Sequence, residues 1–328
     1  MLALLFPGQG SQAVGMGRDV YETSDAARAV FDAADAALGY PLAQLCFEGP
    51  EDELVRTEVQ QPAILTTSIA LLRALEERAD LAPAFYAGHS LGEYSALVAA
   101  GALEFEDAVR LVQARGRFMQ EAVPVGRGAM AAVLGLAPAA VAEACQFAAE
   151  QTGRVVAPAN FNGPAQTVIS GDAVAVEAAC ARAREQGAKR AVPLDVSAPF
   201  HCSLMRPAAE KLAPELARVR FRAPEAPIVT NVEARACQDA GLFPALLEQQ
   251  VTAPVRFTEM IEFLGSAGVD RVLEIGPGRV LVGVVARVSR ALARASLGIA
   301  KELDTAAEFA AGQIARSEPK ASEAGQKC

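Results

Sequence analysis

Apolar residues in this chain come either as short unbroken runs or as longer stretches with an apolar position every three or four residues. Leu2 to Phe6 is an unbroken run halted by Pro7-Gly8, which reads as a buried strand entering a loop. Helical texture follows from Val20 to Leu38 and from Pro62 to Glu77. A second run, Ala82 to Ala87, stops at Gly88-His89-Ser90-Leu91-Gly92. From Glu93 to Ala100 the residues are good helix formers, with Gly101 placed to cap the end. The local pattern around Ser90 predicts strand, glycine-flanked turn, helix.

The texture changes between Pro124 and Pro193. An apolar run Ala129 to Leu134 precedes a helical pattern after Pro138, then an extended Val155 to Ala159. The turn Asn162-Gly163-Pro164 leads to an extended Thr167 to Ile169, a helical Ala173 to Glu185 and, after Gly187, an extended Ala188 to Val192. That order is β-α-β-β-α-β, the split pattern of a small sheet with two helices on one face. Beyond it come an extended Pro227 to Asn231, a helical segment in the 240s, and Val272 to Ile275 entering Gly276-Pro277-Gly278. The expected architecture is α/β. A large domain with a parallel sheet, residues 1–123 and 196–310, is interrupted by a small α+β insert at 124–195. Residues 311–328 are expected to form a tail, polar and aperiodic from Ser317 on.

Composition narrows the function more than the fold. Hydrophobic residues make up 52% and charged residues 21% of 328, which suits a folded protein with a sizeable core. Thirty Lys and Arg against 39 Asp and Glu give a formal charge of −9, which argues against a nucleic-acid partner. The opening MLALLFPGQG lacks a basic leader region and is too short to span a bilayer, so no membrane association and a cytoplasmic location are expected. Cysteines at 46, 145, 180, 202, 237 and 328 have neither close pairing nor metal-ligand spacing, and read as reduced thiols that mostly pack. No metal site is expected.

Gly88-His89-Ser90-Leu91-Gly92 is a G-x-S-x-G sequence. A serine on a strained turn between strand and helix is exposed for attack, and bulk two residues to either side would crowd its hydroxyl. The helix that follows aims its free N–H groups at a developing oxyanion. An ordinary turn with a capping serine gives the same five residues. A serine nucleophile also needs a base. The chain has two histidines. His89 should leave the turn in another direction and pack, so elimination points to His201. Asp107, Asp172 and Asp195 lie between Ser90 and His201, but none ends an apolar run, and a backbone carbonyl is the preferred partner for the second ring nitrogen.

The helical stretch Glu104 to Val123 carries an apolar stripe of Ala108, Leu111, Val112, Phe118, Met119 and Ala122, with Arg115 in its middle. Arg110, Gln113, Arg117, Gln120 and Glu121 lie on the other side. An inward guanidinium must be paired. It meets either a buried Asp or Glu, or a carboxylate arriving with the substrate in a two-pronged pair.

FPGQGSQ at 6–12, QPA at 61–63, GHSLGEYSAL at 88–97, RG at 115–116, ANFNGPAQTVISG at 159–171, HCSLM at 201–205, APVRF at 253–257 and EIGPG at 274–278 together resemble the malonyl-CoA:acyl carrier protein transacylase family. The resemblance runs from Leu4 to about Ser289. It implies an α/β-hydrolase-like domain with a ferredoxin-like insert. It further implies Ser90 as the acylated residue, His201 as base and acid, and Arg115 as the clamp on the malonyl carboxylate. Gln9 and the Leu91 N–H would hold the oxyanion, the Gln250 carbonyl would orient His201, Asn160 would lie near the pocket, and Phe200 would crowd a branched α-methyl group.

The implied reaction is ping-pong: malonyl passes from coenzyme A to Ser90, then to the phosphopantetheine thiol of acyl carrier protein, with no cofactor and on a monomer. Such carriers are usually acidic, so docking would need a local basic patch drawing on Lys189, Arg190 or Arg287. A hydrolase is the nearest rival, since water can accept the same acyl group. A non-catalytic acyl-binding module would be expected to lack Ser90 or His201.

Overall fold

The computed structural model describes residues 1–124 and 126–313. Ten strands occur among them: β1 (Leu2–Phe6), β2 (Phe85–Gly88), β3 (Gly128–Leu134), β4 (Val156–Gly163), β5 (Gln166–Asp172), β6 (Arg190–Pro193), β7 (Ile228–Val229), β8 (Ala236–Cys237), β9 (Arg271–Ile275) and β10 (Ala293–Leu297). They form two sheets. The larger has the order β10-β9-β1-β2-β7-β8, parallel throughout except for the terminal β7–β8 pair. All five residues of β1 are buried, as a central parallel strand covered on both faces requires.

The smaller sheet is antiparallel, with the order β4-β5-β3-β6. Its chain order is the β-α-β-β-α-β read from the sequence, with helices Pro138–Thr152 and Ala173–Glu185 between strands. Val141, Cys145, Val176 and Cys180 on those helices pack with Val133 and Ile169 on the sheet. Met130 and Val168 belong instead to the main core. Edge strand β4 is stitched to the segment after helix Phe243–Thr252: Val255 N–H donates to Ala159 O at 2.8 Å and Phe161 N–H to Val255 O at 2.9 Å. A register shift between Pro158 and Asn160 accompanies this join.

Several boundaries differ from the sequence reading. The helical texture Val20–Leu38 is two helices, Arg18–Thr23 and Asp25–Leu38, because Ser24 is extended and its side chain accepts from Ala27 N–H as an N-cap. The helix expected from Pro62 begins at Thr57 and carries Pro62 in its second turn. The run Ala82–Ala87 contributes a strand only from Phe85. Strand β10 and helices Arg206–Arg218 and Phe257–Ser266 were not anticipated; β10 (ARASL) mixes polar and small residues and gives no apolar run. Five cysteines are buried free thiols. Residues 314–328, with most of the expected tail and Cys328, lie outside the described residues. Among the described residues no helix is long and apolar enough to cross a membrane.

The parallel strands deliver their loops to one edge, as expected of an α/β sheet. β1 ends at Phe6 before Gln9, β2 before Ser90, and β7 before Asn231. The crossing of β1 by helix Gly92–Ala99 is close: a Cβ on Gly92 would lie 2.0 Å from Phe6 O, and one on Gly88 would lie 2.0 Å from Gly92 O. Gly92→Ala is therefore expected to lower stability by roughly 1–3 kcal/mol through overpacking. A denaturant midpoint equal to that of the unaltered protein would contradict this contact.

Candidate active site

Ser90 sits where β2 turns into helix Gly92–Ala99 and adopts φ 53°, a left-handed value rare for a residue with a side chain. His201 has φ 59°. With Ala234, these are the non-glycine residues in this conformation among those described, and strain of this kind gathers at functional sites. Two amide side chains hold the Ser90 turn in place. Asn231 Oδ1 accepts the Ser90 N–H at 2.7 Å, and Gln250 Nε2 donates to the Ser90 carbonyl at 3.0 Å.

The Ser90 hydroxyl lies 2.7 Å from His201 Nε2. His201 Nδ1 lies 2.9 Å from the Gln250 main-chain carbonyl. A carbonyl can only accept, so Nδ1 carries the ring hydrogen and Nε2 keeps a lone pair that accepts the hydrogen bond from the serine hydroxyl. Burial, and then the charge on Arg115, push the His201 pKa down to about 3. The ring is therefore a neutral base across the physiological range. None of the aspartates considered as its partner bonds to it. Asp107 pairs with Arg110, Asp172 caps helix Ala173–Glu185 and pairs with Arg154, and Asp195 faces the cavity.

Arg115 is 0% exposed, and no carboxylate of the described residues lies within ion-pair distance of it. Its Nη2 donates to Ser90 Oγ at 3.0 Å and to Gln250 Oε1 at 2.8 Å, and Nη1 donates to Gln61 Oε1 at 2.9 Å. The guanidinium carbon lies 5.5 Å from the centre of the Tyr94 ring. Nε has no acceptor among the described residues. The buried cation is thus held by neutral groups, the Ser90 hydroxyl among them, an arrangement that favours ionisation of that hydroxyl and leaves the cation without a direct ion pair among the described residues.

A cavity of about 750 Å³ opens over the serine, with Gln9, Ser90, Asn160, Phe200 and His201 in its wall. Arg115, Leu91 and Gln250 are buried and do not line it. Gln9 Nε2 donates to Gln60 Oε1. The Leu91 N–H, at the start of helix Gly92–Ala99, meets no acceptor among the described residues, so it remains available for an oxyanion. His89 packs against Phe257 with ring centres 5.3 Å apart, and its Nε2 lies 3.0 Å from Asn162 Oδ1. It also reaches the cavity wall, which a purely packing role did not anticipate.

Sequence reasoning missed Glu93, Asn231, Gln60 and Gln61. Glu93, Asn231 and Gln61 are almost wholly buried. The available signal was the presence of polar residues inside otherwise apolar stretches, Gln60-Gln61 within a buried helix above all.

The family profile described as "Acyl transferase domain" matches residues 3–321. The malonyl CoA-acyl carrier protein transacylase of Escherichia coli strain K12 is 49% identical over 307 residues, 94% of this chain and 99% of that one. An acyl carrier protein S-malonyltransferase from Vibrio cholerae has a solved structure with a TM-score of 0.90 and 46% identity, covering 93% of this chain and 99% of that one. A second structure, of a type II PKS acyl-carrier protein in complex with its malonyl-transacylase, gives a TM-score of 0.91 at 46% identity, covering 94% and 99%.

A neutral His201 at low pH has a direct consequence for Ser90. Its sulfonylation by phenylmethylsulfonyl fluoride, an uncharged probe, should not slow as pH falls through the ordinary histidine value of 6.5. A rate that halves near pH 6.5 would show an ordinary, solvated imidazole.

Proposed function

The chain belongs to the acyl transferase domain family, and from that membership and the geometry around Ser90 we infer how its residues divide the work. It is an enzyme that transfers the malonyl group from malonyl-CoA to the phosphopantetheine thiol of acyl carrier protein, in two half-reactions through an acyl-serine. The supply of malonyl units for fatty acid synthesis is the role this assigns.

One observation carries the assignment of residues: the Ser90 hydroxyl lies 2.7 Å from His201 Nε2 and 3.0 Å from Arg115 Nη2. In the first half-reaction His201 takes the Ser90 proton as the oxygen attacks the thioester carbonyl. The Leu91 N–H and Gln9 hold the resulting oxyanion. The carbon–sulfur bond then breaks, and the coenzyme A thiolate leaves with the proton from His201. The carrier thiol reverses these steps. The Gln250 carbonyl keeps His201 in the required tautomer throughout. The acyl group arrives already activated as a thioester, so the step needs no cofactor.

Arg115 receives the free carboxylate of the malonyl group. Its Nε–H is an unspent donor, and its contacts to Gln61, Gln250 and Ser90 are to neutral groups that a carboxylate outcompetes. Phe200 stands in the cavity wall, where a ring crowds an α-methyl group, and Asn160 lines the same space. Residues 1–123 and 196–310 form the catalytic domain in this reading, with 124–195 as the insert. Ser90, His201, Arg115 and Gln250 meet within a single chain, so the site needs no residue from a second copy, and we favour a monomer; a cytoplasmic location is the further reading. For the carrier protein we favour the far end of the small sheet. Lys189 and Arg190 are exposed there, Arg190 pairs with Leu134, Leu134 with Gln166, Gln166 with Gly163, and Arg287 lies against Gly163.

Arg115→Ala should cost about 2–5 kcal/mol in malonyl transfer, the range for losing one member of a buried charge pair, while an acetyl thioester loses much less. An unchanged malonyl-over-acetyl preference would make the arginine purely structural. Ser90→Ala should take up no label from radiolabelled malonyl-CoA, and label persisting on the chain would exclude Ser90 as the nucleophile.

A further inference from the structure

Glu93 is ionisable, buried, and has no part in the chemistry above. It lies three residues after Ser90 in helix Gly92–Ala99 and is 2% exposed. Its Oε2 accepts from Gln250 Nε2 at 2.6 Å and from the Asn231 N–H at 3.2 Å. These are the residues that hold the two ends of the Ser90 unit, Asn231 through the Ser90 N–H and Gln250 through the Ser90 carbonyl. Asn231 Nδ2 also donates to Gly88 O at 2.7 Å, fixing the strand end that enters the turn. One carboxylate oxygen therefore anchors both clamps on a serine held at φ 53°.

The same oxygen sets which way the Gln250 amide points. An ionised carboxylate only accepts, so the NH₂ end must face Glu93 and the carbonyl end must face Arg115. Gln250 Oε1 does accept from Arg115 Nη2 at 2.8 Å, and the main-chain carbonyl of the same residue holds His201. Glu93 thus reaches the nucleophile, the base and the cation through Gln250 and Asn231.

We propose that Glu93 is a positioning residue for the transfer reaction, bracing the strained Ser90 turn through Gln250 and Asn231 and opposing, by its charge, the carboxylate that Arg115 receives. This rests on the reading of Ser90 as the acylated group and Arg115 as the carboxylate clamp. Burial pushes Glu93 up to about 7, against the pull of Gln250, Asn231 and Arg115, so its charge changes near neutrality. The ionisable groups around it are Tyr94 on its own helix, Arg115 on helix Phe105–Glu121, Cys237 on β8, and His201 and His89 toward the cavity. Burial raises the Tyr94 and Cys237 values and lowers those of both histidines, which keeps all four neutral. Arg115 is the remaining charge in this group. Above its midpoint Glu93 is a second anion sharing that cation, so a malonyl carboxylate binds less well; below it, the cation is free for the substrate. An acetyl group brings no carboxylate and does not feel the difference.

The test compares acylation by malonyl and acetyl N-acetylcysteamine thioesters across neutral pH in the unaltered protein, Glu93→Gln and Glu93→Ala. Glu93→Ala leaves two buried donors without an acceptor and should lower kcat/KM for both thioesters by about 10- to 100-fold. Glu93→Gln keeps an acceptor oxygen and should recover most of that loss. In the unaltered protein the malonyl-over-acetyl ratio should fall as pH rises past neutrality; in Glu93→Gln it should not change. A folded Glu93→Ala at the unaltered rate, or a Glu93→Gln that keeps the pH-dependent ratio, overturns the proposal. If Glu93→Ala fails to fold, the Glu93→Gln ratio decides alone. The underlying reading fails separately, when malonyl label is missing from Ser90 in the unaltered protein.

Discussion

A single hydroxyl shared between a neutral imidazole and a buried guanidinium organises this molecule. Ser90 Oγ can donate to His201 Nε2 only if that nitrogen is unprotonated, and the bond it accepts from Arg115 is strengthened by the charge the guanidinium keeps. The two bonds support each other. The arginine's charge adds to burial in keeping His201 deprotonated, and the same charge lowers the cost of an anion at the Ser90 oxygen. Burying a cation against neutral partners is costly, and the fold offsets this with three hydrogen bonds from the guanidinium and the aromatic face of Tyr94.

Holding that arrangement falls to elements far apart in the sequence. Ser90 comes from the end of β2, Arg115 from helix Phe105–Glu121, the Gln250 carbonyl from helix Phe243–Thr252, and His201 from a loop after the small sheet. Two features fix their relative placement. The close approach of Gly92 to Phe6 brings the elbow against β1, with Gly88 letting the turn fold tightly onto the start of its own helix, and the bond pair between β4 and Val255 ties the small sheet to the segment after Gln250. The cavity wall then draws residues from both sheets, Met130 and Asn160 from one side and Gln9 and Ser90 from the other.

Much of this was legible in the sequence because it depends on local pattern. Strand, glycine turn and helix at Ser90, the β-α-β-β-α-β order, and an arginine inside an apolar stripe all follow from spacing within a few residues. The large sheet was only partly legible: the extended Pro227 to Asn231 contains β7, but β8 is a two-residue pairing and β10 lacks an apolar run, and tertiary packing makes those two strands. The amide and carboxylate groups behind the site were illegible for a different reason. Gln61, Asn231 and Glu93 are ordinary polar residues until the fold brings them together from separate segments, and no one-dimensional period encodes that meeting. Gln250 was found only by family resemblance, which suggested its backbone carbonyl but not its side-chain bonds to Arg115, Ser90 and Glu93.

In the proposed function the buried cation, rather than the cavity shape, is the feature that selects an acid-tailed acyl group. A crystal structure of the protein acylated with malonyl-CoA tests this most directly. Density should run continuously from Ser90 Oγ, with the free carboxylate within hydrogen-bonding distance of the Arg115 guanidinium. A malonyl carboxylate turned toward the cavity mouth, with Arg115 still bonded only to Gln61 and Gln250, would contradict it.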